Sequence, residues 1–179
     1  MIQEVYQKAM KYAGEQHSEQ KVPGTNANYL LHISNVAMEV IMAHNDSPNF
    51  DLEYAIQVAI LHDTIEDTSS TYEEIEQLFS QEIAIGVSAL TKNESLATKE
   101  EKMLDSLKRI KEERIEVGIV KLADRITNLQ TPPAHWTTEK VKRYLEEAKL
   151  IARKLGEKNQ YLDLRIEAKI EEYGKNIQG

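Results

Sequence analysis

An all-α fold, a single bundle of roughly eight to ten helices, is what the chain predicts, and three observations carry that reading. Apolar residues recur at i, i+3, i+4 and i+7 over most of the length. Glycine and proline are scarce, seven and four in 179 residues, while Ala, Leu, Ile, Glu, Lys and Gln dominate. The segments that interrupt the periodicity are short and rich in Asn, Thr, Ser or Pro-Gly. The length suits one domain over residues 1–179, and no internal repeat or Gly/Ser linker divides it.

Each helix follows from the same signals. Ile2, Val5, Tyr6, Ala9, Met10 and Ala13 set a first helix over residues 2 to about 18, closed by His17. Glu19 to Asn28 contains Pro-Gly and reads as an irregular loop. A second helix begins near Leu30 with Leu31, Ile33, Val36, Ala37, Val40 and Ile41 inward; His44 in its exit reads as solvated. Asn49 or Asp51 caps a third helix from Leu52 through the stretch Ala59-Ile-Leu-His-Asp-Thr-Ile-Glu-Asp-Thr68. Capping boxes at Thr71 to Glu74 and Thr98 to Glu101 open two further helices, and another covers Gln81 to Leu90. In the helix after Thr98, Met103, Leu104, Leu107 and Ile110 face inward. Ile115 to Gln130 is nearly continuously apolar until Pro132-Pro133 stops it. A long helix from Thr138 ends at Gly156, and Leu162, Leu164, Ile166, Ile170 and Tyr173 give a closing helix whose last few residues fray.

Thirty acidic against 22 basic residues give a charge of −8, which disfavours nucleic acid or an anionic membrane as partner. The N-terminus is amphipathic without the apolar core of a signal peptide, and no run approaches about 18 apolar residues, so a cytoplasmic protein is expected. There is no cysteine, so any metal must be held by His and carboxylates.

The stretch from Ala59 to Thr68 is the most informative. Its apolar stripe, Ile56, Ala59 and Ile60, continues to Asp63, and on a regular helix Glu66 lies at i+4 from His62 and i+3 from Asp63. A carboxylate carried into the interior needs a cation or hydrogen-bond partners. Asp124 sits in the same position within the other apolar helix, with Asn128, Lys121 and Arg125 as nearby partners, and His32 opens the second helix. Together His32, His62, Asp63 and Asp124 offer two imidazoles and two carboxylates from three helices. That donor set suits Mn²⁺, Fe²⁺ or Zn²⁺ better than Ca²⁺. It favours metal-assisted phosphoester hydrolysis. Lys92, Lys99 and Lys102 are cations that could face an anion, and Tyr144 is a candidate for base stacking.

The H…HD…D pattern resembles the HD-domain metal-dependent phosphohydrolases. Leu61-His-Asp-Thr-Ile-Glu-Asp-Thr68, followed by Thr71 and Phe79, then Val120-Lys-Leu-Ala-Asp-Arg-Ile-Thr-Asn-Leu129, together with Tyr29-x-x-His32, look like the hydrolase domain of RelA/SpoT proteins. The chain is most similar to the free-standing small alarmone hydrolases, from about His17 to Tyr144. The resemblance implies removal of the 3′-pyrophosphate of (p)ppGpp with Mn²⁺ as the usual ion and a small-molecule nucleotide as partner. It implies His32, His62, Asp63 and Asp124 as ligands, Glu66 and Asp67 as the pair acting on water, and Asn128 and Tyr144 near the nucleoside. The family's Arg-Lys pair is missing from the loop before His32, where only Lys21 remains as a nearby cation and Asn28 replaces a proline. That departure admits an adenosine analogue or the 2′-phosphate of NADPH as substrate, and Lys99 and Lys102 as substitute phosphate contacts. A nonhydrolysing nucleotide sensor is the alternative of a different class, and oligomeric state is not encoded in these signals.

Overall fold

The computed structural model describes residues 1–177, and among them ten α-helices and no β-strand. They are α1 Ile2–Gln16, α2 Leu30–Asp46, α3 Leu52–Leu61, α4 Thr64–Asp67, α5 Tyr72–Leu78, α6 Gln81–Leu90, α7 Lys99–Glu112, α8 Ile115–Asn128, α9 Thr138–Leu155 and α10 Gln160–Gly174. Asp51, Thr71 and Thr98 cap their helices as read, and Ser80, Thr137 and Asn159 do the same for α6, α9 and α10; each accepts a backbone N–H in the first turn. Lys175–Ile177 form a 3-10 turn rather than a frayed end, and the rest of that expectation falls on 178–179, outside the described residues.

The two apolar helices lie side by side at the centre. α3 packs against α1, α2, α6 and α8, and α8 against α2, α3, α9 and α10. Ile56, Ile60, Leu61, Ile119, Leu122 and Ile126 are fully enclosed between them. No helix among the described residues is long and apolar enough to cross a membrane.

Several expectations are corrected. The third helix does not run through to Thr68. It stops at Leu61, His62 and Asp63 form a turn, and α4 restarts at Thr64. Asp63 has φ −102° and ψ −1°, in the sparsely populated bridge region, and the buried Thr64 Oγ1 donates to Leu61 O at 2.7 Å, occupying a carbonyl the helix would otherwise have used. Leu31, Leu104 and Leu164 are 47, 46 and 62 % exposed. Each falls off its helix's buried stripe; Leu164 is two residues from the enclosed Leu162, about 200° around the axis. Leu31 instead heads an outward row with the exposed Met38 and Met42. His44 is half-buried, its ring edge-on to Phe50.

Candidate metal centre and its cavity

The turn between α3 and α4 sets the centre. Because the helix is interrupted there, adjacent side chains converge: His62 Nε2 and Asp63 Oδ2 are 2.9 Å apart. His32, in the first turn of α2, brings its Nε2 to 3.3 Å from His62 Nε2 and 3.8 Å from Asp63 Oδ2. Asp124, on α8, completes the group with Oδ1 at 3.5 Å from His32 Nε2 and 3.8 Å from His62 Nε2. Donor atoms held about 2.1 Å from one ion at neighbouring corners lie about 3 Å apart, so this spacing fits a divalent cation. His32, His62 and Asp124 are buried, with exposures of 5, 3 and 7 %.

Surrounding hydrogen bonds aim these donors. His62 Nδ1 bonds the Ala59 carbonyl at 2.8 Å, which makes Nδ1 the protonated nitrogen and turns the Nε2 lone pair inward. The Tyr29 hydroxyl donates to Asp63 Oδ2 at 2.5 Å. Burial, and then the Asp63 carboxylate, raise the pKa of this phenol, so it remains a donor. Asp124 accepts from Asn128 Nδ2 at 2.5 Å and from Lys121 Nζ at 3.1 Å. Of the partners considered for Asp124, Arg125 is the one that turns away, its guanidinium 4.3 Å from the Tyr144 ring centroid.

Charge states follow from the same contacts. Burial acts against ionisation of Asp63 and Asp124, yet His62 holds Asp63 well below the usual carboxylate range, and Lys121 with the imidazoles does the same for Asp124. Burial lowers the His62 pKa, but Asp63 and Asp124 outweigh it and push His62 up to about 9. A raised histidine contributes stability below its unfolded pKa of about 6.5, and that contribution is lost as pH rises through the folded value. The depressed carboxylates contribute above about pH 4 and lose it as pH falls. Metal-free protein is therefore expected to be most stable between about pH 4 and 6.5 and to weaken toward pH 9. Urea midpoints of chelator-treated protein check this; no fall between about pH 6 and 9 would contradict it.

The centre forms one wall of a cavity of about 610 Å³, in the range of small-ligand pockets. Of the other residues singled out in the sequence, Glu66, Asp67, Lys99, Lys102, Asn128 and Tyr144 line it, whereas Lys21 does not. The reason is local. Lys21 and Asn28 form a β-bridge, and Tyr29 N donates to Gln20 O, so residues 20 and 21 present opposite faces. Gln20 takes the inward face and its Nε2 donates to Asp67 Oδ2 at 2.9 Å; Lys21 is left exposed. Asp67 has its pKa raised by burial, against the Gln20 hydrogen bond and reinforced by Asp63 and Glu66. Glu66 is held from the loop after α6: its Oε2 accepts from Lys92 N at 2.9 Å and its Oε1 from Lys92 Nζ.

Sequence reasoning missed Gln20, Trp136, Lys140, Arg143 and Glu147. The last three line the cavity with Tyr144. Lys140, Arg143, Tyr144 and Glu147 are spaced i, i+3, i+4 and i+7, a stripe that was legible as one face of α9, of which only Tyr144 was singled out. Lys102 is paired with Glu94 at 2.6 Å. A second cavity of about 740 Å³ adjoins the first through Asn128, Trp136 and Tyr144, and reaches His32 from the side of Pro133.

Comparison with known proteins gives the family. A family model described as HD domain matches residues 9–159. A guanosine-3′,5′-bis(diphosphate) 3′-pyrophosphohydrolase of Aquifex aeolicus (strain VF5) is 36% identical over 130 residues, covering 72% of this chain and 18% of that protein. The chain thus spans under a fifth of that relative's length. Guanosine-3′,5′-bis(diphosphate) 3′-pyrophosphohydrolase MESH1 of Danio rerio is 30% identical over 173 residues, covering 94% of this chain and 93% of that protein. A solved structure described as "A metazoan ortholog of SpoT hydrolyzes ppGpp and plays a role in starvation responses" superposes with a TM-score of 0.82 at 26% identity, over 95% of this chain and 96% of the other.

Proposed function

The chain belongs to the HD-domain family, and from that premise we propose that it hydrolyses the 3′-diphosphate of guanosine tetra- or pentaphosphate, giving GDP or GTP and pyrophosphate. The observation that carries the reading is the convergence of His32, His62, Asp63 and Asp124, the last three of them on the wall of a cavity also lined by Lys92, Lys99, Lys102, Lys121, Lys140 and Arg143. Two imidazole nitrogens and two carboxylate oxygens suit Mn²⁺, and Fe²⁺ or Zn²⁺ fit the same donors. A divalent ion held by these four side chains would supply positive charge to the reacting phosphate and lower the pKa of water.

The rest is done by the chain's own side chains. Tyr29, Lys121 and Asn128 fix the two ligand carboxylates, so the centre does not reorganise during the reaction. Asp67 takes a proton from the attacking water; its raised pKa and its single hydrogen bond from Gln20 leave it able to accept one. Glu66 orients that water. The water oxygen bonds to the phosphorus, the bond from phosphorus to the ribose 3′-oxygen breaks, and the proton passes to that oxygen. Lys99 and Lys102 neutralise phosphate charge, as do Lys140 and Arg143. Tyr144 and Asn128, shared by both cavities, border the nucleoside. The test is release of pyrophosphate from ppGpp by purified protein with Mn²⁺. No release under those conditions overturns the reading.

A second reading concerns the base. The loop over residues 20–29 sends its lysine outward, and Lys21 lines neither cavity, so that loop brings no cation to the nucleotide. This favours tolerance of another phosphorylated nucleotide, an adenosine analogue or NADPH with its 2′-phosphate. A substrate panel separates the two by which phosphate is lost.

A further inference from the structure

The held state of Glu66 bears on its task. Both carboxylate oxygens are engaged by Lys92, and on Oε1 a water must share the oxygen with an ammonium that draws on the same negative charge. The two contacts differ in kind. Oε2 is held by the backbone N–H of Lys92, fixed by the loop that follows α6, whereas Oε1 is held by the ammonium at the end of a flexible stem. Loss of the ammonium alone would free Oε1 and leave Glu66 in place.

Lys92 also has somewhere to go. It lines the same cavity as Asp63, Asp124 and Asp67, its side chain is 46 % exposed, and Glu66 is 20 % exposed. An incoming diphosphate brings several formal negative charges, against one on Glu66. A phosphate also competes well for an ammonium, because its contact with Lys is a point-charge interaction that needs no special orientation.

Resting on the hydrolase reading above, we propose that Lys92 is a catalytic residue handed from Glu66 to the substrate: its ammonium leaves Glu66 Oε1 for a diphosphate oxygen when substrate enters. Glu66 Oε1, thereby freed, accepts a hydrogen bond from the attacking water. Water is thus held more strongly by Glu66 once a diphosphate has drawn the lysine away. No covalent bond changes in the hand-over; the ammonium keeps its proton, and the proton leaving water still goes to Asp67. Burial would pull the Lys92 amine down, but Glu66 raises it, consistent with an ammonium that stays charged throughout.

Glu66→Gln and Asp67→Asn provide the test. Each removes one negative charge beside the bound anion, but only the first weakens the hold on Lys92. Binding of inorganic pyrophosphate is measured calorimetrically at one fixed Mn²⁺ concentration. Glu66→Gln is expected to bind pyrophosphate about tenfold or more tightly than Asp67→Asn, the equivalent of one charge-assisted hydrogen bond no longer broken on binding. Adding Lys92→Met to Glu66→Gln should remove that gain, while Lys92→Arg should keep most of it. Equal affinity of the two single variants, or an equal loss on adding Lys92→Met to either, overturns the hand-over. In turnover, Lys92→Met is expected to lower kcat/KM by about 10²-fold. Because the probe is pyrophosphate alone, a failure of ppGpp hydrolysis by the unmodified protein counts against the substrate reading and leaves the binding comparison to decide the hand-over.

Discussion

Asp124→Asn is expected to abolish tight Mn²⁺ binding and to lower kcat/KM by about 10³-fold or more. A polarising ion contributes several kcal/mol to transition-state stabilisation, and each 1.4 kcal/mol is a factor of ten in rate. The substitution keeps the shape of the side chain. It removes the charge that Oδ1 presents at 3.5 Å from His32 Nε2 and 3.8 Å from His62 Nε2, and the partner of Lys121. Lys121 Nζ would then face the imidazoles without a carboxylate between them, which disfavours a cation in the centre still further. Calorimetric or paramagnetic titration of Mn²⁺ reads the binding directly, and circular dichroism establishes that the helices persist. Unchanged Mn²⁺ affinity in this variant would remove Asp124 from the ligand set.

Asp67→Asn is expected to behave differently: Mn²⁺ affinity close to that of the unmodified protein, and kcat reduced by about 10² to 10⁴-fold, the usual contribution of a positioned general base. Asp67 is not among the converging donors, and its contact is with Gln20 rather than with the centre. The amide cannot accept a proton from water at any working pH, so the loss should appear in kcat with KM little changed. If kcat survives, the proton goes elsewhere and Glu66 becomes the acceptor.

The helical layout was open to sequence reasoning because its signals are local. Thr71 with Glu74, Thr98 with Glu101 and the Pro-Pro after Leu129 each act within a turn or two. The convergence of His32, His62, Asp63 and Asp124 was also legible, since a carboxylate within an apolar stripe has few alternatives. The break at His62 and Asp63 was not. No glycine or proline marks it, and the Thr64 hydroxyl that reaches Leu61 O at the break is a competition between side chain and backbone that periodicity does not register. Lys21 was misplaced for a similar reason, because the Lys21–Asn28 bridge that turns it outward pairs residues seven apart in a segment with no strand pattern. The α9 stripe was passed over because Lys140, Arg143 and Glu147 look the same in sequence whether they meet solvent or line a cavity.

The interruption between α3 and α4 divides labour in a way a continuous helix could not. His62 and Asp63 end the enclosed helix and are anchored by Ala59 O and Tyr29, whereas Glu66 and Asp67 ride on a separate four-residue helix tied to the rest by Lys92 and Gln20. On the proposed roles, the ion-holding part would be inherited from the core, while the part that handles water would be set by two peripheral loops. Those loops can exchange residues without disturbing the core. Directed evolution for new phosphorylated substrates should accordingly accumulate changes around Gln20 and Lys92, and leave the residues that enclose the centre untouched.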